Sequence, residues 1–135
     1  MFTTRFSKKV SVKYVNLQRS DLINLYKASD LFIFTSKVEY CPLVIMESMA
    51  AGTAFVSSNV GNIKSLIDEN QCGLICETSS HKGINKINYL DLIQKTNYLI
   101  SNDDVRNQLA SNGRKAFLKN YNWDKIFLKY SSLFK

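Results

Sequence analysis

Short apolar runs and helically spaced apolar positions alternate through the first two thirds of the chain. The run at residues 31–34 is apolar throughout and rich in β-forming residues, which predicts a fully buried strand. A polar loop follows at residues 35–38 and ends at Glu39. Because three further apolar segments repeat this alternation, the strand at 31–34 is expected to be one of several in a sheet.

Residues 42–52 have the pattern of a short helix. Pro42 suits its first position, because proline has φ already fixed and no N–H to leave unpaired. Gly52 is expected to end the helix. The apolar positions at helical spacing are Leu43, Met46, Met49 and Ala50.

The remaining pattern extends the same alternation of strand and helix. Further strands are predicted at 10–15, 53–56 and 73–76, and helices at 20–29 (capped by Ser20), from 63, at 89–101, from 103 and from 122. Residues 77–88 have no clear period and are predicted to be a loop. Strands that alternate with helices through short connections form parallel βαβ units, so we expect an α/β fold with about four parallel strands and a helical C-terminus.

The predicted strand, loop and helix at 30–52 carry two carboxylates. A helix N-terminus at the carboxyl end of a parallel strand presents unpaired N–H groups and a favourable dipole to a phosphate. Glu47, in the second helical turn, suits the vicinal hydroxyls of a ribose, and Glu39, in the loop, suits another polyol. The arrangement therefore favours a sugar-bearing nucleotide.

The spacing Glu39-x7-Glu47 within FTSKVEYCPLVIMESMAAG resembles the Glu-x7-Glu signature of the retaining glycosyltransferases of group 1, which are family four and have the GT-B fold. The resemblance continues through 29–33, 55–61, 72–75 and 122–123, and covers roughly residues 10–134. It implies a Rossmann-like sheet that forms the C-terminal part of a GT-B domain. The chain departs from the commonest motif at Tyr40 and Pro42, where many members have glycine.

The resemblance also implies roles for individual residues. Glu39 would contact the transferred sugar and is the candidate catalytic residue, while Glu47 would contact the ribose. The donor is a nucleotide-diphosphate sugar, bound as a substrate, and neither a metal nor another cofactor is expected. The complete set of candidate donor-binding residues is Glu39, Tyr40, Cys41, Pro42, Leu43, Val44 and Glu47.

By the same resemblance, residues 1–135 are a single, truncated C-terminal donor-binding domain. The first two strands of the family's domain, its basic diphosphate-binding residue and the N-terminal acceptor domain have no counterpart in this sequence. The strand at 10–15 would thus lack its usual neighbours; we expect it to pair beside 31–34, the alternative being that it stays poorly anchored. The expected partners are the nucleotide sugar and either the acceptor domain or a complementary chain.

Composition and charge bear on the expected partners and location of the protein. The formal net charge of +7 fits a lysine-rich solvated surface, and it also fits attraction to an anionic membrane surface. Nucleic acid is not expected as a partner, because basic and aromatic residues are not interleaved. The three cysteines, Cys41, Cys72 and Cys76, are expected to be small buried or half-buried residues. With no long apolar run and no disulfide framework, a cytoplasmic location is expected, and peripheral attachment to the inner face of the membrane is the option that the charge leaves open.

Three functions are compatible with these observations. The leading hypothesis is a retaining glycosyltransferase of bacterial surface polysaccharide or glycolipid synthesis, of which this chain carries the donor-binding half and is inactive alone. The alternative is a non-catalytic half-domain that binds a partner. A nucleotide-sugar epimerase of the same architecture is weaker, because the Glu-x7-Glu spacing resembles the transferases more closely.

Overall fold

The computed structural model describes residues 11–81 and 84–134. The strands are β1 (Leu31–Phe34), β2 (Ala54–Ser58), β3 (Gly73–Cys76), β4 (Thr78–His81) and β5 (Ile84–Ile87). The helices are α1 (Arg19–Ala28), α2 (Leu43–Ala51), α3 (Ile63–Asn70), α4 (Tyr89–Ser101), α5 (Asp103–Ala116) and α6 (Trp123–Ser131), with a π-helical turn (Phe117–Tyr121) and a 3₁₀ turn (Ser132–Phe134). The α/β class with flanking helices and a helical C-terminus is confirmed.

The parallel sheet has the order β1-β2-β3, with Phe32 opposite Phe55 and Val56 opposite Leu74. All five residues of β2 are buried, as expected for a central strand covered on both faces. Successive side chains of β2 point to opposite faces. Phe55 packs in a cluster with α2, α3 and α5, whereas Val56 packs in a cluster with α4.

The strand β1 is at the edge of the sheet, and the prediction that it is fully buried is wrong. Its only neighbour in the described sheet is β2. Leu31, Phe32 and Phe34 are half-buried, and Ile33 is 45% exposed. The sequence alone indicates an apolar run but does not show how many neighbours will cover it.

The strand predicted at 10–15 is not formed in the described part of that segment. Residues 11–18 have no regular secondary structure, and Val10 lies outside the described residues. Val12 and Tyr14 are 71% and 98% exposed. The expected ladder with β1 is therefore wrong for residues 11–15, and the parallel sheet of the described residues has three strands rather than about four.

Residues 77–88 contain an antiparallel hairpin instead of the predicted loop. Thr78 pairs with Ile87, and His81 pairs with Ile84. Ile87 is buried against α4, which supplies the packing that holds β5. Nine of the twelve residues of this segment are polar or charged, so its β structure depends on tertiary contacts that propensity does not indicate.

Helix ends agree with the predictions to within about two residues. The prediction for α4 is confirmed, and Asn122 caps α6, accepting a hydrogen bond from the Lys125 N–H at 2.9 Å. Gly52 ends α2 with φ of 76°, a left-handed conformation that glycine adopts without strain. Among the described residues, none of the helices is both long enough and apolar enough to cross a membrane.

Candidate functional site

The loop that follows β1 is held by hydrogen bonds from β2 and from the hairpin. Ser58 Oγ, at the end of β2, donates to the carbonyl of Ser36 at 2.6 Å. The backbone N–H of Asn85, in the hairpin, donates to the carbonyl of Lys37 at 3.2 Å, and the Asn85 side chain donates to the carbonyl of Asn59 at 3.1 Å. The hairpin therefore links the loops that follow β1 and β2, a role that the prediction of a loop at 77–88 missed.

Glu39 lies at the end of this braced loop. Its side chain is half-buried, and Ser36 Oγ lies 3.3 Å from Glu39 Oε1 and 3.1 Å from the Val38 carbonyl. Because a hydroxyl has one hydrogen, it donates to one of these acceptors at a time. The remaining lone pairs of the Glu39 carboxylate can accept hydrogen bonds from a polyol.

The backbone between Glu39 and α2 is fixed by close contact with the loop that follows β2. The N–H of Asn62 donates to the carbonyl of Tyr40 at 3.0 Å. Gly61 has φ of 55°, and a Cβ placed on it would lie 2.6 Å from the carbonyl carbon of Tyr40 and overlap the carbonyl oxygen. Only glycine allows this approach, so Gly61 positions the candidate loop.

The N-terminus of α2 is open. Pro42 is the N-cap, with φ of −72° and ψ of 106°, and no side chain caps it. The helix thus begins at Leu43, one residue later than predicted. The Ile45 N–H donates to the Pro42 carbonyl at 3.1 Å, whereas the N–H groups of Leu43 and Val44 precede the helical hydrogen-bond ladder.

The side chains around this N-terminus differ in exposure. Tyr40 and Leu43 are 92% and 70% exposed, Cys41 is exposed, Pro42 is buried and Val44 is half-buried. The prediction that Leu43 lies on the apolar face of α2 is therefore wrong. The buried side chains of that helix are Ile45, Ser48 and Met49.

Glu47, one turn further along α2, forms an ion pair that the sequence analysis did not anticipate. Arg19 Nη1, at the start of α1, lies 2.6 Å from Glu47 Oε1. The Glu47 side chain is 24% exposed and that of Arg19 is 64% exposed. A cleft of about 190 Å³ between the two helices is lined by Arg19, Ile23, Tyr26, Lys27, Glu47, Ala50 and Ala51.

Tyr26 forms the inner wall of this cleft. Its ring is buried and makes an edge-to-face contact with Phe32, the ring centroids being 5.3 Å apart. Burial and then the negative charge of Glu47 raise the pKa of the Tyr26 phenol, and the positive charge of Arg19 opposes that rise. The carboxylate, the guanidinium and the phenol therefore act on one another within one small cleft.

The cysteines have two different environments. Cys72 and Cys76 are buried, as expected, but Cys41 is exposed beside the N-terminus of α2. Burial raises the pKa of the Cys72 thiol to about 11. An exposed thiol at the mouth of the candidate site provides a chemical probe of its occupancy.

The family model of the glycosyl transferases group 1 matches residues 7–116. Among curated proteins, the chain is 21% identical to the N-acetyl-alpha-D-glucosaminyl L-malate synthase of Bacillus anthracis over 87% of this chain and 29% of that protein. It is 27% identical to the UDP-Gal:alpha-D-GlcNAc-diphosphoundecaprenol alpha-1,3-galactosyltransferase of Escherichia coli over 86% of this chain and 28% of that protein.

Two solved structures show the same fold. The sucrose-phosphate synthase of Thermosynechococcus elongatus superposes with a TM-score of 0.70 and 21% identity over 87% of this chain and 28% of that one. The Anabaena protein HepE in complex with UDP superposes with a TM-score of 0.69 and 22% identity over 86% of this chain and 30% of that one.

The parallel sheet with its flanking helices superposes on both solved structures, so the fold is Rossmann-like and of the GT-B type. The chain belongs to the glycosyl transferases group 1, because the family model matches most of its length. It spans less than a third of the length of the first curated relatives it matches.

Proposed function

We propose that residues 1–135 are the donor-binding part of a retaining glycosyltransferase, whose acceptor side lies in another domain or chain. One observation carries the proposal: in a chain of this family, the open N-terminus of α2 lies between Glu39 and Glu47. An anion cradle flanked by two hydroxyl acceptors suits a nucleoside diphosphate sugar.

The proposed chemistry is electrostatic and positional. The N–H groups of Leu43 and Val44 and the dipole of α2 stabilise the negative charge that develops on the leaving diphosphate. Glu39 orients the transferred sugar, and Glu47 accepts hydrogen bonds from the ribose. The backbone of Tyr40, Cys41 and Pro42 places these groups, and no metal or cofactor takes part in the proposed reaction.

The relatives suggest where such an enzyme acts. The name of the Escherichia coli relative specifies a diphosphoundecaprenol acceptor, which is a lipid-linked molecule. We therefore propose that the whole enzyme works in bacterial surface polysaccharide or glycolipid synthesis. The net charge of +7 would favour a peripheral position on an anionic membrane surface.

The direct test is nucleotide binding by the purified chain. We expect UDP or GDP to bind saturably, and Glu47→Ala to weaken that binding tenfold or more, on the order of 1.4 kcal/mol. Glu69→Ala is the matched control. Glu69 is an exposed glutamate at the end of α3, so its substitution removes the same charge away from the candidate site. A folded chain that binds neither nucleotide, or binds it equally well after both substitutions, would overturn the proposed donor site.

A second function, a half-domain that binds a protein partner, is favoured by a separate observation. The C-terminal helix exposes large apolar side chains, and β1 has one unpaired edge in the described sheet. Both features are suited to contact with another chain or domain. A half-domain of this kind would associate without binding nucleotide, so the titration above separates the two functions.

A further inference from the structure

The ion pair between Arg19 and Glu47 joins two helices at the candidate site. Arg19 is the first residue of α1, and Glu47 lies in the second turn of α2, which packs against α1. A positive charge in the first turn of a helix opposes the helix dipole and is locally unfavourable. Arg19 is therefore poorly placed for the stability of α1 and well placed to contact Glu47.

Global stability does not explain the pair either. An ion pair in which one partner is 64% exposed contributes about 0–1 kcal/mol, because water screens it and two long side chains must be ordered. Its stronger effect is on geometry. A glutamate has three rotatable side-chain bonds, and a guanidinium that binds one carboxylate oxygen favours the rotamers that keep this contact.

The contact leaves one side of the carboxylate for a ligand. Arg19 binds Oε1, so Oε2 of Glu47 still has the lone pairs to accept a hydroxyl hydrogen. Tyr26 and Ala50 line the same cleft as Glu47. A carboxylate fixed in this way recognises hydroxyls more selectively than a freely rotating one, because its orientation is set before the ligand binds.

We propose that Arg19 is a positioning residue that orients Glu47 and thereby makes the donor site selective for ribose over 2′-deoxyribose. This inference rests on the proposed function, in which Glu47 accepts hydrogen bonds from the ribose hydroxyls. It assigns to Arg19 an effect on the choice between two sugars rather than on overall attraction to an anion.

The test compares the dissociation constants of UDP and 2′-deoxy-UDP for the wild type, Arg19→Gln, Arg19→Lys and Glu47→Gln. We expect the wild type to prefer UDP by about tenfold, as for a hydrogen bond to a charged group. Arg19→Gln should reduce that preference at least threefold, and Arg19→Lys should restore part of it. In the Glu47→Gln background, Arg19→Gln should have no further effect on the preference, because the two residues act as a unit.

A matched control separates positioning from charge. Lys64→Gln removes a cation whose side chain is 64% exposed, as that of Arg19 is, and breaks an ion pair with Asp68 within one helix outside the site. It should leave the preference unchanged. If Arg19→Gln leaves the preference for UDP unchanged, the inference is wrong, while the proposed function stands. If it also weakens the binding of both nucleotides equally, Arg19 only attracts the diphosphate. A wild type that binds neither nucleotide overturns both.

Discussion

Gly61 is the residue on which the geometry of the candidate loop depends most directly. A Cβ at this position would overlap the Tyr40 carbonyl, and φ of 55° is strained for any other residue. We expect Gly61→Ala to lower the free energy of unfolding by about 2–4 kcal/mol, combining backbone strain with steric overlap. Urea unfolding measures the stability, and titration with UDP measures the accompanying loss of affinity.

Gly52→Ala is the control for this substitution. Gly52 also has a positive φ, of 76°, but the nearest atom to an added Cβ is Arg114 Cβ at 3.9 Å. It should therefore show the backbone strain alone, about 1 kcal/mol, and little change in nucleotide affinity. Equal effects of the two substitutions would mean that contact with Tyr40 does not shape the site.

Cys41 allows occupancy of the site to be followed chemically. We expect one thiol of the native chain to react quickly with a disulfide reagent, because Cys41 is exposed and burial raises the pKa values of Cys72 and Cys76. Saturating UDP should slow that reaction at least threefold if the diphosphate lies at the N-terminus of α2. Cys41→Ser should abolish the fast phase, and a labelling rate that UDP leaves unchanged would contradict the proposed position of the donor.

At the scale of elements, the start of α4 anchors the hairpin to the sheet. Asp91 Oδ2 accepts hydrogen bonds from the N–H of Glu77 at 2.6 Å and from Lys95 Nζ at 2.8 Å. Lys95 Nζ also donates to the carbonyl of Ile75 at 2.6 Å. The Asp91–Lys95 pair therefore connects α4 to the end of β3, just before the hairpin that braces the candidate loop.

This anchor predicts a dependence of stability on pH. The hydrogen bond from Lys95, followed by that from the Glu77 N–H, holds the pKa of Asp91 below its ordinary value of 3.8. The unfolded chain therefore binds a proton more readily, and this contribution to stability is present above about pH 4 and is lost as pH falls through the lowered value. Asp91→Asn should lower the free energy of unfolding by about 1–3 kcal/mol at neutral pH. In urea unfolding at different pH values, it should also make that free energy fall less steeply on the acid side.

The control for this experiment is Asp68→Asn. Asp68 also pairs with a lysine four residues away, but both side chains are more than half exposed. We expect its removal to change stability by less than about 0.5 kcal/mol and to leave the acid slope intact. An acid slope that Asp91→Asn does not alter would show that other carboxylates cause it.

The sequence predicts elements well where local signals and burial agree. Residues 43–51 and 89–101 are helical as expected, because apolar spacing and terminal residues both indicate helix. The wrong predictions concern segments whose secondary structure depends on contacts with other elements. The segment 11–15 has strand-like alternation but no strand beside it among the described residues. Residues 78–81 and 84–87 form strands because β5 packs against α4 and contacts the loop that follows β1.

The same limit applies to the candidate site. The positions of Glu39 and Glu47 relative to α2 follow from spacing, since the helix register is local. Arg19 is 28 residues from Glu47, and nothing in the spacing of the two indicates their contact. The prediction that Ser20 caps this helix placed Arg19 outside it, whereas the structure begins α1 at Arg19 with Gln18 as the N-cap, so the unfavourable position of this charge is visible only in the structure.

At the scale of the whole molecule, α6 and the turn after it present a large apolar surface. Trp123, Phe127, Tyr130, Leu133 and Phe134 are between 63% and 84% exposed. Within the described residues, these side chains are therefore not part of the core. Exposed apolar groups on this scale favour association with another surface.

We therefore expect the isolated chain to self-associate as its concentration rises, because these side chains leave water only by contacting one another. The double substitution Trp123→Ser and Phe127→Ser should reduce that association at least tenfold, as measured by sedimentation equilibrium. It should change the free energy of unfolding by less than about 1 kcal/mol, since both side chains are largely exposed.

Phe117→Ser is the contrasting control, because Phe117 packs against the cluster around Phe55. It should cost about 2 kcal/mol or more of stability, whereas the pair on α6 should not. A wild-type chain that stays monomeric at high concentration would show that this surface does not drive association. If the double substitution removes association and leaves UDP affinity unchanged, the surface for a partner and the site for the donor are separate parts of one domain.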